Sequence, residues 1–155
     1  MGNLTLIKHV PEKCRKVYDG GTFIRKVWSN HSLLSVASLA QRINSVFPNY
    51  IIDIGESSEG VFMDLTKLNG VLVSTLVQTD DLVKQVYKFC IDNMQHTLPY
   101  YHYDWALSNM IINNGKITLC DWDNLNLYTK SEAMQKLNDD LISAFGERYQ
   151  RVIHG

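Results

Sequence analysis

The sequence predicts an α+β fold: an antiparallel five-stranded region with one helix, then a mainly helical region built around a β-hairpin. Three observations carry this. Five short runs rich in Val, Ile, Thr and aromatics fall before residue 70, with turn signals at Gly20-Gly21 and at "SSEG" (57–60). Apolar residues recur at the 3.6-residue helical period over 32–47, 80–94 and 131–152. Asn114-Gly115, a strong short hairpin signal, separates "NMIIN" from "KITLCDW".

Taken in order, "LTLIKHV", "CRKVYDG" and "TFIRKVW" are expected as three antiparallel strands, the last two joined at the paired glycines. From Ser32 to Phe47 the stripe Leu33, Val36, Leu39, Ala40, Ile43 and Phe47 predicts an amphipathic helix stopped by Pro48. "YIIDIGE" and "GVFMDLT" complete the five strands, and Lys67-Leu68-Asn69-Gly70 reads as a connector. Asp80-Asp81 opens a second helix, whose Leu82, Val83, Val86, Cys90 and Met94 share a face and which ends before Pro99. After the hairpin, Met134, Leu137, Leu141, Phe145, Tyr149 and Val152 predict one final helix, interrupted at Gly146.

The 155 residues, 45% hydrophobic and 20% charged, suit one globular domain. No apolar run approaches the roughly 20 residues of a membrane span, and the start lacks the pattern of a secretory signal, so a cytoplasmic setting away from membranes is expected. Met1-Gly2-Asn3-Leu4-Thr5-Leu6 misses the N-myristoylation pattern because Leu6 stands where Ser or Thr is needed. Cys14, Cys90 and Cys120, odd in number and widely spaced, read as reduced thiols. The net charge of −1 hides an asymmetry. Residues 1–50 hold seven Lys/Arg against two Asp/Glu, and residues 51–155 hold eight against fourteen. The basic part lacks the dense Lys/Arg cluster of a nucleic-acid surface, and it suits a polyphosphate held against a metal-loaded acidic part.

The acidic part concentrates its chemistry in "HYDWALSNMIINNGKITLCDWDN" (102–124). His102, Asp104 and Asn109 form H-x-D-x-x-x-x-N, and Asp121 follows at the far end of the hairpin. Carboxylates beside apolar strands need a compensating cation. An Asn carbonyl and an Asp carboxylate are hard oxygen ligands suited to Mg²⁺, which keeps waters and takes substrate phosphates to complete its octahedron. Asp104 would then stand off the metal, placed to accept a proton from an attacking hydroxyl.

These residues resemble the catalytic and metal-binding loops of the protein kinase superfamily, nearer the aminoglycoside phosphotransferase and choline kinase branch. Asp121-Trp122-Asp123 is similar to the small-molecule branch's run where protein kinases place D-F-G. The resemblance implies a two-lobed fold over one domain, with a small lobe at 1–66 and a reduced, mainly helical large lobe at 67–155. It implies ATP and Mg²⁺ as cofactors, Asp104 as catalytic base, Asn109 and Asp121 as metal ligands and His102 as a brace. Lys26 stands where the family places its phosphate-gripping lysine, and Met63, Asp64 and Leu65 where adenine meets backbone. Asp123 either supports the metal or caps a turn with Asn124; Trp122 is expected in the core.

Two family features are missing. No G-x-G-x-x-G loop joins the first two strands, so phosphate cover would fall to other backbone amides or to Lys13, Arg15 and Lys16. The helix over 32–47 contains no Asp or Glu to pair with Lys26, and Gln41 is the nearest polar substitute. Only about thirty residues follow Asp123, too few for the usual acceptor pocket, so acceptor recognition is expected to be minimal, supplied by a homodimer partner, or absent. The leading expectation is a kinase acting on a small-molecule hydroxyl. The alternatives are a pseudokinase serving as a nucleotide- or protein-binding module and, ranked lower, a two-metal phosphodiesterase or nuclease using Asp104, Asp121 and Asp123.

Overall fold

The computed structural model describes residues 3–155; Met1 and Gly2, on which the lipidation reading turned, lie outside the described residues. The chain divides into two compact units, one up to Lys67 and one from Leu68.

The first unit is a five-stranded antiparallel sheet with one helix. Strands β1 (Thr5–Val10), β2 (Arg15–Asp19), β3 (Phe23–Trp28), β4 (Ile51–Ser57) and β5 (Gly60–Thr66) lie in the order β1-β2-β3-β5-β4. All five match the sequence expectation. The β2–β3 turn closes through the Gly20 N–H donating to the Phe23 carbonyl at 2.9 Å, with Gly21 at φ 91° where a side chain would be strained. Between β1 and β2 stands a 3₁₀ turn, Pro11–Lys13, ended by Cys14 in the left-handed region at φ 49°. Both edge strands carry a register shift, in β1 between Leu6 and Lys8 and in β4 between Ile51 and Asp53. The skipped residues, Ile7 and Ile52, are both exposed.

Helix α1 (Leu33–Val46) starts where Ser32 Oγ accepts the Ser35 N–H, buries Val36, Ala40, Ile43 and Val46, and packs against β4 and β5. Opposed residues of antiparallel strands share a face. The pairs Arg15↔Trp28, Val17↔Lys26, Lys26↔Met63 and Ile24↔Leu65 therefore put the cations Arg15 and Lys26 on one sheet face with Trp28, Met63 and Leu65. All of these except Ile24 are buried. The opposite face carries Arg25 against Asp64.

In the second unit, β6 (Val71–Leu72), β7 (Met110–Asn113) and β8 (Lys116–Leu119) form a small antiparallel sheet in that order. Asn114 and Gly115 both take positive φ, 52° and 76°, as a hairpin turn requires. Strand β6 was not expected, because two residues are too short to show a period. Gly70 precedes it at φ 137°, where a Cβ would lie 2.5 Å from the Ile112 carbonyl oxygen, so this crossing needs glycine. Strand β8 ends at Leu119, three residues before the predicted limit at Trp122.

Helix α2 (Asp80–His96) is capped by Thr79 and buries Leu82, Val83, Val86, Cys90 and Met94, the expected stripe. The single final helix is corrected to two, α3 (Lys130–Phe145) and α4 (Glu147–His154). Gly146 separates them at φ 61°, ψ −136°, far from helical values, and α4 packs against both α2 and α3. Helix α3 begins with a capping box in which Thr129 and Glu132 satisfy each other's backbone N–H groups. All three cysteines are free thiols. Among the described residues no helix is long and apolar enough to cross a membrane.

Candidate active site

Two segments of the second unit are zipped together. Tyr101 and Asn126 exchange backbone hydrogen bonds at 2.9 and 3.2 Å, and the Cys120 N–H donates to the Asn109 carbonyl at 2.8 Å. Everything from 102 to 109 is thereby held beside everything from 120 to 125.

His102 joins the segments from inside. It is fully buried between Trp105 and Trp122, with ring centroids 5.3 and 5.6 Å away. Its Nδ1 accepts the Asp104 N–H at 3.0 Å, and its Nε2 is hydrogen-bonded to the Asp121 carbonyl oxygen. An acceptor at Nδ1 and a carbonyl partner at Nε2 fix one neutral tautomer, with the proton on Nε2. Burial holds the ring's pKa below its ordinary value, partly opposed by the Asp121 carbonyl and by the carboxylates of Asp121, Asp104 and Asp123. One imidazole thus ties the backbone of Asp104 to the backbone of Asp121.

The flanking groups fold locally around this tie. Asp104 is half-buried and its Oδ1 accepts the Ala106 N–H at 3.2 Å. Asn109 ends the 3₁₀ turn Leu107–Asn109, its N–H donating to the Ala106 carbonyl at 2.9 Å. Asp121 Oδ1 accepts the Asp123 N–H at 3.2 Å, so Asp121 caps the turn through Asp123 and Asn124. Trp122 is in the core, its Nε1–H donating to the Leu119 carbonyl at 3.1 Å.

Asn109 directly precedes Met110 and Asp121 stands two residues after Leu119, so both lie at the open end of the hairpin, beside the Cys120–Asn109 bond that follows its last pair, Met110↔Leu119. Both are half-exposed. One amide oxygen and one carboxylate fit Mg²⁺, which accepts few protein ligands. Among the described residues no group of three or more His, Cys, Asp or Glu could hold a metal ion, so Asp104, Asp121 and Asp123 do not form the carboxylate cluster a two-metal site needs.

The sequence did not single out Lys136 and Asp140 of α3. Asp140 Oδ2 accepts the Trp105 N–H at 2.9 Å, and Asp140 Oδ1 pairs with Lys136 Nζ at 2.9 Å. The Lys136 ammonium stands 5.8 Å from the centre of the Tyr103 ring, which itself stacks on Tyr128 at 4.2 Å. An i,i+4 Lys/Asp spacing on a helix ordinarily marks a solvated pair, so nothing in the sequence separates this one from Lys88 and Asp92.

In the first unit Lys26 is buried, 5% exposed. Gln41 is exposed and off the buried stripe of α1. Met63, Asp64 and Leu65 are in the centre of the sheet, paired with β3 on one side and β4 on the other, so the ladder takes up their backbone groups on both flanks. The Thr66 N–H donates to the Tyr50 carbonyl at 2.8 Å, so backbone pairing continues to Thr66. Asp64 instead spends its carboxylate on Arg25, which donates from Nε at 2.7 Å and from a terminal nitrogen at 2.8 Å while its guanidinium lies 3.9 Å over the Phe62 ring. Of the cations offered as phosphate cover, Arg15 is buried, Lys16 pairs with Glu59 at 3.3 Å, and Lys13 is exposed.

No protein-family model matches the chain, and no curated protein sequence matches it. Solved structures do. The chain is similar to WbdD, a bifunctional kinase-methyltransferase, with a TM-score of 0.58 and 14% identity over 88% of this chain. It spans 36% of the WbdD chain. The kinase domain of M. tuberculosis PknI aligns with a TM-score of 0.56 and 14% identity, over 91% of this chain and 70% of that one. Vaccinia related kinase 3 aligns at 0.52 and 11%, over 97% and 69%. The sheet order, the helix after the third strand and the hairpin-borne loops are those of a protein kinase-like fold, and that is the fold of this chain.

Proposed function

We propose that this chain is an ATP- and Mg²⁺-dependent phosphotransferase acting on a hydroxyl of a small molecule. The observation that carries the reading is the buried His102 tie, which gives Asp104 and Asp121 a fixed relation at the cost of burying an imidazole. The acceptor's O–H proton passes to the Asp104 carboxylate as its oxygen bonds to the γ-phosphorus. The bond from that phosphorus to the β,γ-bridging oxygen breaks, and its electron pair leaves on ADP. Asn109 and Asp121 would hold Mg²⁺, which when bound neutralises phosphate charge. Lys26 is assigned to the phosphates by its place on β3. The Asp121-Trp122-Asp123 run supports an acceptor of the small-molecule class. WbdD, PknI and vaccinia related kinase 3 support kinase chemistry by their fold.

Calorimetry of ATP binding, with and without Mg²⁺, on wild type and Asp121→Asn tests this. Binding that needs both the metal and Asp121 supports the reading; nucleotide binding indifferent to both overturns it. A second reading, a pseudokinase binding module, draws on one specific observation. Helix α1 carries no acidic residue, and its Gln41 is exposed, off the buried stripe. Partner binding unchanged in Asp121→Asn, with no nucleotide bound, would favour it.

A further inference from the structure

From Tyr100 to Gly115 the sequence contains no Lys or Arg, although phosphoryl transfer at Asp104 would gather negative charge there. The structure brings a cation to this loop from outside it. Asp140 grips the loop at the Trp105 N–H with one oxygen and holds Lys136 Nζ with the other, both at 2.9 Å. Lys136 also faces the Tyr103 ring at 5.8 Å. Tyr103 and Trp105 are the residues on either side of Asp104, so the ammonium faces the ring on one flank of the proposed base and is paired to the carboxylate that grips the other.

The Lys136 side chain remains 34% exposed and Asp140 is 17% exposed. A pair this close, with the carboxylate also bonded to backbone, fixes the ammonium more firmly than a free helix-surface lysine. Asp140 and Asp104, with a smaller contribution from Tyr103, hold Lys136 protonated well into the alkaline range. The charge is therefore permanent at working pH.

We propose that Lys136 is a further catalytic residue, a cation supplied by α3 that meets the phosphoryl group during its passage to the acceptor oxygen at Asp104. Asp140 is its positioning residue. The assignment rests on the phosphotransferase reading above. A base, the attacking oxygen and the phosphorus must be neighbours in any such transfer, so a cation beside the base lies beside the developing charge.

The test uses the whole chain as wild type, Lys136→Met, Lys136→Arg and Asp140→Asn. MgATP hydrolysis with water as acceptor, MgATP affinity by calorimetry and thermal melting are measured on each. Lys136→Met is expected to lower kcat about tenfold to a hundredfold, as loss of one transition-state donor does, with affinity within about twofold. Lys136→Arg is expected to keep most of the rate. A readout independent of turnover uses ¹⁵N-lysine spectra of the wild type. The Lys136 ammonium signal should move on adding the magnesium complex of a non-hydrolysable ATP analogue, and not on adding MgADP.

Wild-type kcat in Lys136→Met, or a signal indifferent to the triphosphate, overturns the assignment. Equal losses in Lys136→Met and Lys136→Arg that track a lowered melting temperature also overturn it, since they mark a structural pair. Wild type that neither binds nor hydrolyses MgATP overturns the phosphotransferase reading itself, and is told apart by failing before any variant is compared.

Discussion

The two units bury polar groups in opposite ways. In the sheet unit, Arg15 and Lys26 are carried inward on β2 and β3 by strand alternation, among Trp28, Met63 and Leu65, while the outer face has the two-pronged Arg25–Asp64 pair. In the hairpin unit the buried polar group beside the candidate site is a neutral ring, His102, with both nitrogens bonded to backbone on either side of that site. The first device places charge by periodicity. The second places it by a hydrogen-bonded bracket that orients two carboxylate-bearing segments. The comparison teaches that the Asp104 and Asp121 segments of the proposed site are held by local loop bonds rather than by strand register, and that these loops should fail first when those bonds are cut.

The largest expected effect breaks the bracketed side alone. Asp121→Ala should lower MgATP turnover more than about a hundredfold while urea denaturation stays close to wild type, because the residue is half-exposed. Near-normal turnover would remove Asp121 from the site. Next, His102→Ala should cost about 3 kcal/mol in denaturant unfolding, from the lost ring volume and the stranded Asp104 N–H and Asp121 carbonyl. A cost near zero would show that the backbone holds without the bracket.

A pH series sharpens the same contrast. The folded-state pKa of His102 lies below the ordinary histidine value of 6.5, so the unfolded chain takes up its proton first on acidification. Stability from this group is complete above about pH 6.5 and is lost as pH falls toward the folded pKa. Denaturation midpoints compared at pH 7.5 and pH 5.5 should drop for the wild type and drop less for His102→Gln. On the sheet side, Arg25→Met should cost about 1–2 kcal/mol by urea titration, since the pair is two-pronged and largely covered. Its MgATP affinity should not change. The smallest effect belongs to Lys88→Ala, which loses a pair exposed on both sides and should leave the midpoint unmoved.

Strands β1 to β5 and helix α1 were legible because each keeps its period for a full element and ends on a recognisable signal, Gly20-Gly21, Ser32 or Pro48. Asn114-Gly115 likewise made the hairpin readable, and with it the nearness of Asn109 and Asp121. The misses share a cause. At Leu119 the apolar run continues to Cys120, but the partner strand has already given way to the 3₁₀ turn Leu107–Asn109, and the ladder stops at Met110↔Leu119. At Gly146 the stripe continues past the glycine, and the backbone angles turn the expected interruption into a full break between α3 and α4. Asp140 was invisible because its partner, the Trp105 N–H, is 35 residues away and is backbone, which every sequence offers everywhere. Pattern reveals which face is buried; it does not reveal which amide a carboxylate will choose.

The skipped isoleucines at the two sheet edges bear on how the protein behaves at high concentration. A flat outer strand offers its unpaired amides to any neighbouring chain, whereas an extra residue twists the strand and spoils the spacing a newcomer must match. Here both outer strands are interrupted, at Ile7 and at Ile52, near their own beginnings. Deleting either isoleucine would restore an even edge, and a solution of that shorter chain should cloud at a protein concentration where the native sequence stays clear.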